Sequence, residues 1–184
     1  AVCGEPRWDR VFSRTQSAHP RATELSQVFG QLPRPWGCLA QVWPEDESVF
    51  TSALIQFVGT IWVVPHVIEA EALKKTRAWL ERQGWDVIQT SAGLPPVENV
   101  HTKTSRTAVL VDEMGFLAEL YGAMDWVYVG GGFGVGIHST IEPALWGLPL
   151  CVGPSGTERF SEVADLESWG QLRVVESAKS LLQW

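Results

Sequence analysis

The sequence predicts a Rossmann-like, doubly wound α/β domain, and three observations carry that prediction. Short apolar runs alternate with amphipathic segments from end to end, the pattern of a parallel sheet with crossover helices. The runs are rich in β-branched and aromatic residues and only about six residues long, as strands buried on both faces are. The 184 residues fit one medium domain, so residues 1–184 are read as a single unit.

Taken in order, VCG near the start reads as a strand running into a turn, and residues 18–29 as a short helix broken by PRPWG at 33–37. GCLAQV (37–42) is a strand. Pro44 followed by Glu45, Asp46 and Glu47 starts a helix expected to reach about Val58, because proline loses nothing at the first helical position and acids suit the positive end of the dipole. TIWVVP (60–65) is a strand, residues 68–83 a helix closed by Gly84, and WDVIQT (85–90) a strand. SAGLPPVENVHTKTS (91–105) has turn chemistry and no period. RTAVLVD (106–112), a helix over 114–124, WVYVGGG (126–132), a helix over 140–146, PLCVGP (149–154), a helix near 158–167, QLRVV (171–175) and a last helical segment complete about six strands.

Composition narrows the function classes. With 45% apolar and 19% charged residues the chain is globular in type. A net charge of −7 argues against a general grip on a nucleic-acid backbone or an anionic bilayer, so any phosphate site is local. Cys3, Cys38 and Cys151 lie far apart with no metal-ligand spacing and read as reduced, buried thiols. No apolar run approaches the ~20 residues that span a bilayer. The start at Ala1 inside AVCGEP reads as a chain beginning within a larger protein.

The most informative stretch is GGGFGVGIHSTIEPALWGLP, 130–149. Glycines after a buried strand allow close backbone approach and positive φ, and a loop feeding a helix start points N–H groups at an anion. The spacing is not the dinucleotide fingerprint, which belongs to a first βα unit. His138 and Glu142 are four apart; if both are helical they share a face near the loop, where a carboxylate can accept ribose hydroxyls and an imidazole can donate to a phosphate or sugar acid. A capping box of Ser139 and Glu142 is the bland alternative, disfavoured by Pro143. Arg7 and Arg10 flank Asp9, and a guanidinium suits a phosphate or carboxylate. His66 follows a strand end, where ligands collect. The acids at 45–47 need no metal, since dipole pairing explains them. Trp62, Trp79, Trp126 and Trp146 read as packing residues, and Trp36 and Trp43 as possible cleft lining.

DEMGFLAELYGAMDWVYVGGGFGVGIHSTIEPALWGLPLCVGP resembles the C-terminal domain of 3-deoxy-D-manno-octulosonic acid (Kdo) transferase, whose pattern runs D-x-x-G-x-L, Y, A-D, V-G-G-(S/G)-F, G-x-H-N-x-L-E-P-A, G-x-P-V, G-P. Asp112, Gly115, Leu117, Tyr121, Asp125, Gly130, Gly131, Gly136, His138, Glu142, Pro143, Ala144, Gly147, Pro149, Gly153 and Pro154 fall on it. Gly4, Arg7, Asp9, Arg10 and Val11 fit the family's G-(D/N)-(T/P)-R-F-D-R-V, and WPEDE (43–47) the stretch after its G-S-T loop.

The resemblance implies the C-terminal half of a GT-B glycosyltransferase. That half binds CMP-Kdo without a metal, and an N-terminal domain, absent from this chain, supplies the general base and the lipid A acceptor site at the cytoplasmic side of the inner membrane. It selects Gly131, Gly132, Gly136, His138, Ser139, Thr140, Glu142, Arg7, His66, Met114 and Gly115 as nucleotide-sugar contacts, with no catalytic residue, no cofactor, no metal and no nucleic-acid partner. Three departures bear on the donor: Ser139 stands for the usual Asn, Ala40, Gln41 and Val42 replace the G-S-T loop, and R-H-P-E-R is reduced to His66. Another UDP-sugar transferase or 2-epimerase of GT-B type, or a non-catalytic nucleotide-binding module, remains open at this point.

Overall fold

A computed structural model describes residues 6–15, 17–93 and 106–184, without the side chains of Pro6 and Arg7. Seven parallel strands form one sheet in the order β3-β4-β2-β1-β5-β6-β7. They are β1 (Trp36–Val42), β2 (Gly59–Pro65), β3 (Asp86–Gln89), β4 (Arg106–Leu110), β5 (Trp126–Val129), β6 (Leu150–Val152) and β7 (Leu172–Val174). The helices are α1 (Pro6–Thr15), α2 (Pro20–Val28), α3 (Pro44–Ala53), α4 (Ala70–Arg82), α5 (Leu117–Leu120), α6 (Ile141–Leu145), α7 (Ser161–Ser168) and α8 (Ala178–Gln183).

Alternation along each strand divides the core into two layers, since neighbouring side chains point to opposite faces. Cys38, Trp62, Val64, Val127 and Val129 pack on one face with Leu25 of α2, Leu120 of α5 and Val163 and Leu166 of α7. Leu39, Ile61, Val63, Tyr128 and Cys151 pack on the other with Phe50 of α3, Trp79 and Leu80 of α4 and Leu181 of α8. With helices on both faces the sheet is doubly wound, as the sequence predicts.

The differences from expectation are local. Helix α1 covers residues read only as a motif. Helix α3 ends at Ala53 and passes into a single 3-10 turn over Leu54–Gln56. The helix expected over 114–124 shrinks to Leu117–Leu120 plus a 3-10 turn, because Gly115 takes φ 103°, outside the helical region. Trp36, expected at the cleft, begins β1 at the opposite end of the sheet and is buried in the core. The opening VCG and most of the 91–105 loop lie outside the described residues. Cys38 and Cys151 are buried and free, and burial pushes both thiols up in pKa; Cys3 lies outside the described residues.

Candidate functional site

The chain leaves β1 toward β2, β4 and β3, then returns to build β5, β6 and β7 on the other side. Between β1 and β5 the winding reverses, and the crevice at the carboxyl ends of these strands is where open α/β sheets take ligands. Gln41 lies at the end of β1 and Trp43 just past it, His66 follows β2, Asp112 follows β4 and the glycine stretch follows β5. The backbone at Gln41 is irregular: its φ is 52° and the β1–β2 register slips between Ala40 and Val42. A non-glycine residue in the left-handed region is uncommon and marks local strain.

The glycines serve backbone proximity. A Cβ on Gly130 would stand 2.4 Å from the Gln41 carbonyl oxygen, and one on Gly132 would stand 2.5 Å from the Gly153 nitrogen and Cα. The N–H groups of Gly134 and Gly136 both donate to the Gly131 carbonyl, at 3.0 and 2.9 Å, and that of Ile137 to Ser155 at 3.1 Å. The Gly131 N–H donates to Asp46 Oδ2 at 2.8 Å. These N–H groups are thus committed internally, and the next helix, α6, starts only at Ile141.

Asp46, which the sequence offers only as a dipole-pairing acid, is completely buried. Besides Gly131 it accepts from the Trp43 N–H at 2.9 Å and from the Tyr128 hydroxyl at 2.7 Å. Burial first, and then the Asp46 carboxyl, push the Tyr128 hydroxyl far above its ordinary range. One side chain therefore ties α3, β5 and the glycine loop together across the switch point. Its position three residues after Trp43 signals a helix start; nothing in the sequence signals its burial.

Next to it lies an aromatic stack. The rings of Trp43 and His66 are 4.4 Å apart at 22°, and those of His66 and His138 4.6 Å apart at 15°. The Trp43 indole N–H donates to His138 Nε2 at 3.1 Å. Burial, and then the neighbouring His66, lower the pKa of His138, with Asp46 opposing. The His66 N–H donates to the Val42 carbonyl at 3.0 Å, which fastens this residue to the end of β1. From His66 a cavity of about 190 Å³ runs past Gln41, Glu113, Met114 and Gly115 to Phe116. His66, His138, Met114 and Gly115 thus gather on the β1–β2–β4 side of the crevice.

His138 precedes α6, so the shared helical face expected for His138 and Glu142 does not form. Nor does the alternative capping box: the residue before the helix is Thr140, and it makes no side-chain cap. The Thr140 hydroxyl is fully enclosed with no hydrogen-bond partner among the described residues, while Ser139 is exposed. Glu142 meets α1, where Arg14 Nη1 lies 3.9 Å from Glu142 Oε1 while the same guanidinium grips Glu119 through two bonds of 3.1 Å. Burial raises the pKa of Glu142, Arg14 opposes and Glu119 adds to the rise. Arg14 was not legible in advance, since α1 itself was not. Arg7 lies on α1, and its side chain is outside the described ones.

Asp112 is structural. Burial alone would raise its pKa, but hydrogen bonds from the Ser91 and Thr90 hydroxyls and the Ser91 N–H bring it below the ordinary value. Among the described residues no group of three His, Cys, Asp or Glu side chains is arranged to hold a metal. No helix among them is long and apolar enough to cross a membrane. A larger cavity, about 580 Å³, lies at the amino ends of the strands beside Trp126 and Pro149, away from the crevice.

Fold and crevice together define a Rossmann-like α/β domain with a polar, histidine-bearing site at its switch point. No family model matches the chain. Over 121 residues it is 32% identical to the 3-deoxy-D-manno-octulosonic acid transferase of Chlamydophila psittaci, and over 122 residues 33% identical to that of Chlamydia muridarum. Each alignment covers 63% of this chain and 26% of the relative, so the chain spans about a quarter of the length of these relatives. The Kdo transferase of Aquifex aeolicus matches at 45% over 47 residues, 25% of this chain and 13% of that protein. The crystal structure of the C-terminal CMP-Kdo binding domain of WaaA from Acinetobacter baumannii superposes with a TM-score of 0.69 at 20% identity, covering 89% of this chain and 86% of that one. The resemblance to the Kdo transferases stated from the motifs is borne out, and so is the fold.

Proposed function

We propose that this chain is the donor-binding domain of an inverting glycosyltransferase of GT-B type that transfers Kdo from CMP-Kdo to a lipid A precursor. The observation that carries the reading is the position of the matched motif: its glycines, His138 and Glu142 border the crevice where the winding reverses. The relatives named as Kdo transferases and the solved CMP-Kdo binding domain support the same donor.

In this reading Glu142 accepts the ribose hydroxyls. His138 and the backbone at Ser139 and Thr140 face the phosphate or the sugar carboxylate. The cavity by His66, Met114 and Gly115 takes the base. Arg7 joins from α1. Binding needs no metal, and a second domain at the inner membrane supplies the general base and the lipid site.

Calorimetric titration with CMP, UDP and NAD tests this. Selective CMP binding that weakens about tenfold or more in Glu142→Ala is expected, since a hydrogen bond to a charged group contributes roughly 1.5–3 kcal/mol. Preference for UDP, or no nucleotide binding by a folded sample, refutes it.

A further inference from the structure

An indole nitrogen is a donor only, and a neutral imidazole has one donor and one acceptor nitrogen. The 3.1 Å bond from Trp43 Nε1 to His138 Nε2 therefore makes Nε2 the acceptor and leaves the ring proton on Nδ1. His66 covers both partners, stacked 4.4 Å from Trp43 and 4.6 Å from His138, so the two rings have little freedom to part. Trp43 is itself fixed, because its backbone N–H donates to the buried Asp46 carboxyl at 2.9 Å.

We propose that Trp43 is a positioning residue that locks His138 in its Nδ1–H tautomer, so that His138 meets an anionic ligand oxygen as a hydrogen-bond donor through Nδ1. The tautomer stands on the geometry around Trp43 alone. Its use by a ligand rests on the nucleotide-sugar reading, in which the oxygen is a phosphate or sugar carboxylate.

The lock has a consequence for affinity. Without the indole donor His138 is free to carry its proton on either nitrogen. If the donor-competent form falls to about a fifth of molecules, apparent affinity falls about fivefold. Trp43→Phe keeps one ring for His66 to stack on and removes the N–H together with the second ring of the indole.

Long-range nitrogen–proton spectra of the histidine rings, recorded near pH 8, well above the ordinary imidazole pKa of about 6.5, read the tautomer without any ligand. The wild-type chain is expected to show His138 as a single Nδ1–H species. Trp43→Phe is expected to show a mixture or the Nε2–H form, and His66→Gln, which leaves the indole bond in place, the wild-type pattern. A wild-type His138 that is mixed or Nε2–H overturns the proposal even if the variants do not fold, and so does an unchanged tautomer in Trp43→Phe. Titration with CMP adds the second readout, with about fivefold weaker binding expected in Trp43→Phe. Equal CMP affinity in a variant whose tautomer has changed overturns the donor role. A locked tautomer in a wild-type chain that binds no CMP supports the lock and refutes the nucleotide reading, so the two fail separately.

Discussion

Replacing Asp46 by alanine removes the acceptor of three donors at once, two of which, the Gly131 N–H and the Tyr128 hydroxyl, are buried. Leaving a buried donor without a partner costs roughly 1–3 kcal/mol, and the half-buried Trp43 N–H adds less, so the loss is expected at about 4 kcal/mol. For a domain of this size that lowers the melting midpoint by about 8–16 °C. Urea denaturation followed by the fluorescence of the ten tryptophans measures it. Tyr128→Phe removes one donor and leaves Asp46 with two, so it is expected to lose about 1 kcal/mol. The double variant should then be less destabilised than the sum of the singles, by roughly 1 kcal/mol, as for groups in direct contact. A loss below about 1 kcal/mol in Asp46→Ala, or strict additivity with Tyr128→Phe, would refute the view that this side chain clamps the glycine loop to α3.

Other outcomes follow from the same geometry. Gly132→Ala drives a Cβ to 2.5 Å from the Gly153 backbone and is expected to lose about 2–3 kcal/mol. Gly134→Ala brings a Cβ to 3.2 Å from Glu45 Cβ and Cγ, a milder approach to side-chain atoms, and should lose less than Gly132→Ala, about 1 kcal/mol; parallel urea curves separate the two. Glu47 is pushed up to about 7, chiefly by burial with Arg82 opposing. The folded chain then binds more protons than the unfolded chain between the ordinary carboxyl pKa and that value, so stability falls as pH rises through the window. Glu47→Gln should flatten that fall and gain on the order of 1 kcal/mol at pH 8 after solvent screening, read from denaturation midpoints across pH. Supplied with CMP-Kdo and a lipid A precursor, the chain alone is expected to bind CMP and form no glycolipid product by mass spectrometry.

The central strands were legible because they are buried on both faces and read as continuous apolar runs: TIWVVP and RTAVLVD announce β2 and β4 without help from context. Helix ends were less so. The late start of α5 depends on the positive φ of Gly115, and the stop of α3 on a 3-10 turn that no breaker residue marks. The site was half legible. His66, His138, Met114 and Gly115 lie on one side of the molecule because the carboxyl ends of parallel strands all fall along the same edge of the sheet. Trp43, read as cleft lining, does stand in the crevice against His66, but Asp46 and Arg14 were misread or missed because each acts through a partner 85 to 128 residues distant in sequence, a relation that local pattern does not encode.

The contact between Arg14 and Glu142 bears on how a ligand would reach the site. Its 3.9 Å separation is too long for a hydrogen bond, whereas the two bonds to Glu119 are 3.1 Å. Arg14 therefore belongs to Glu119, and its hold on Glu142 is a weak Coulomb attraction at a half-exposed guanidinium. Burial already works against the charge on Glu142. A ligand hydroxyl that donated to this carboxyl would relieve that cost without breaking the Arg14–Glu119 pair. Glu142 thus has little of its hydrogen-bonding capacity taken up by α1, whereas Asp46 already accepts from three donors. Two carboxyls lie close to the same loop: the buried one holds the backbone through three donors, while the other stands 3.9 Å from the Arg14 guanidinium.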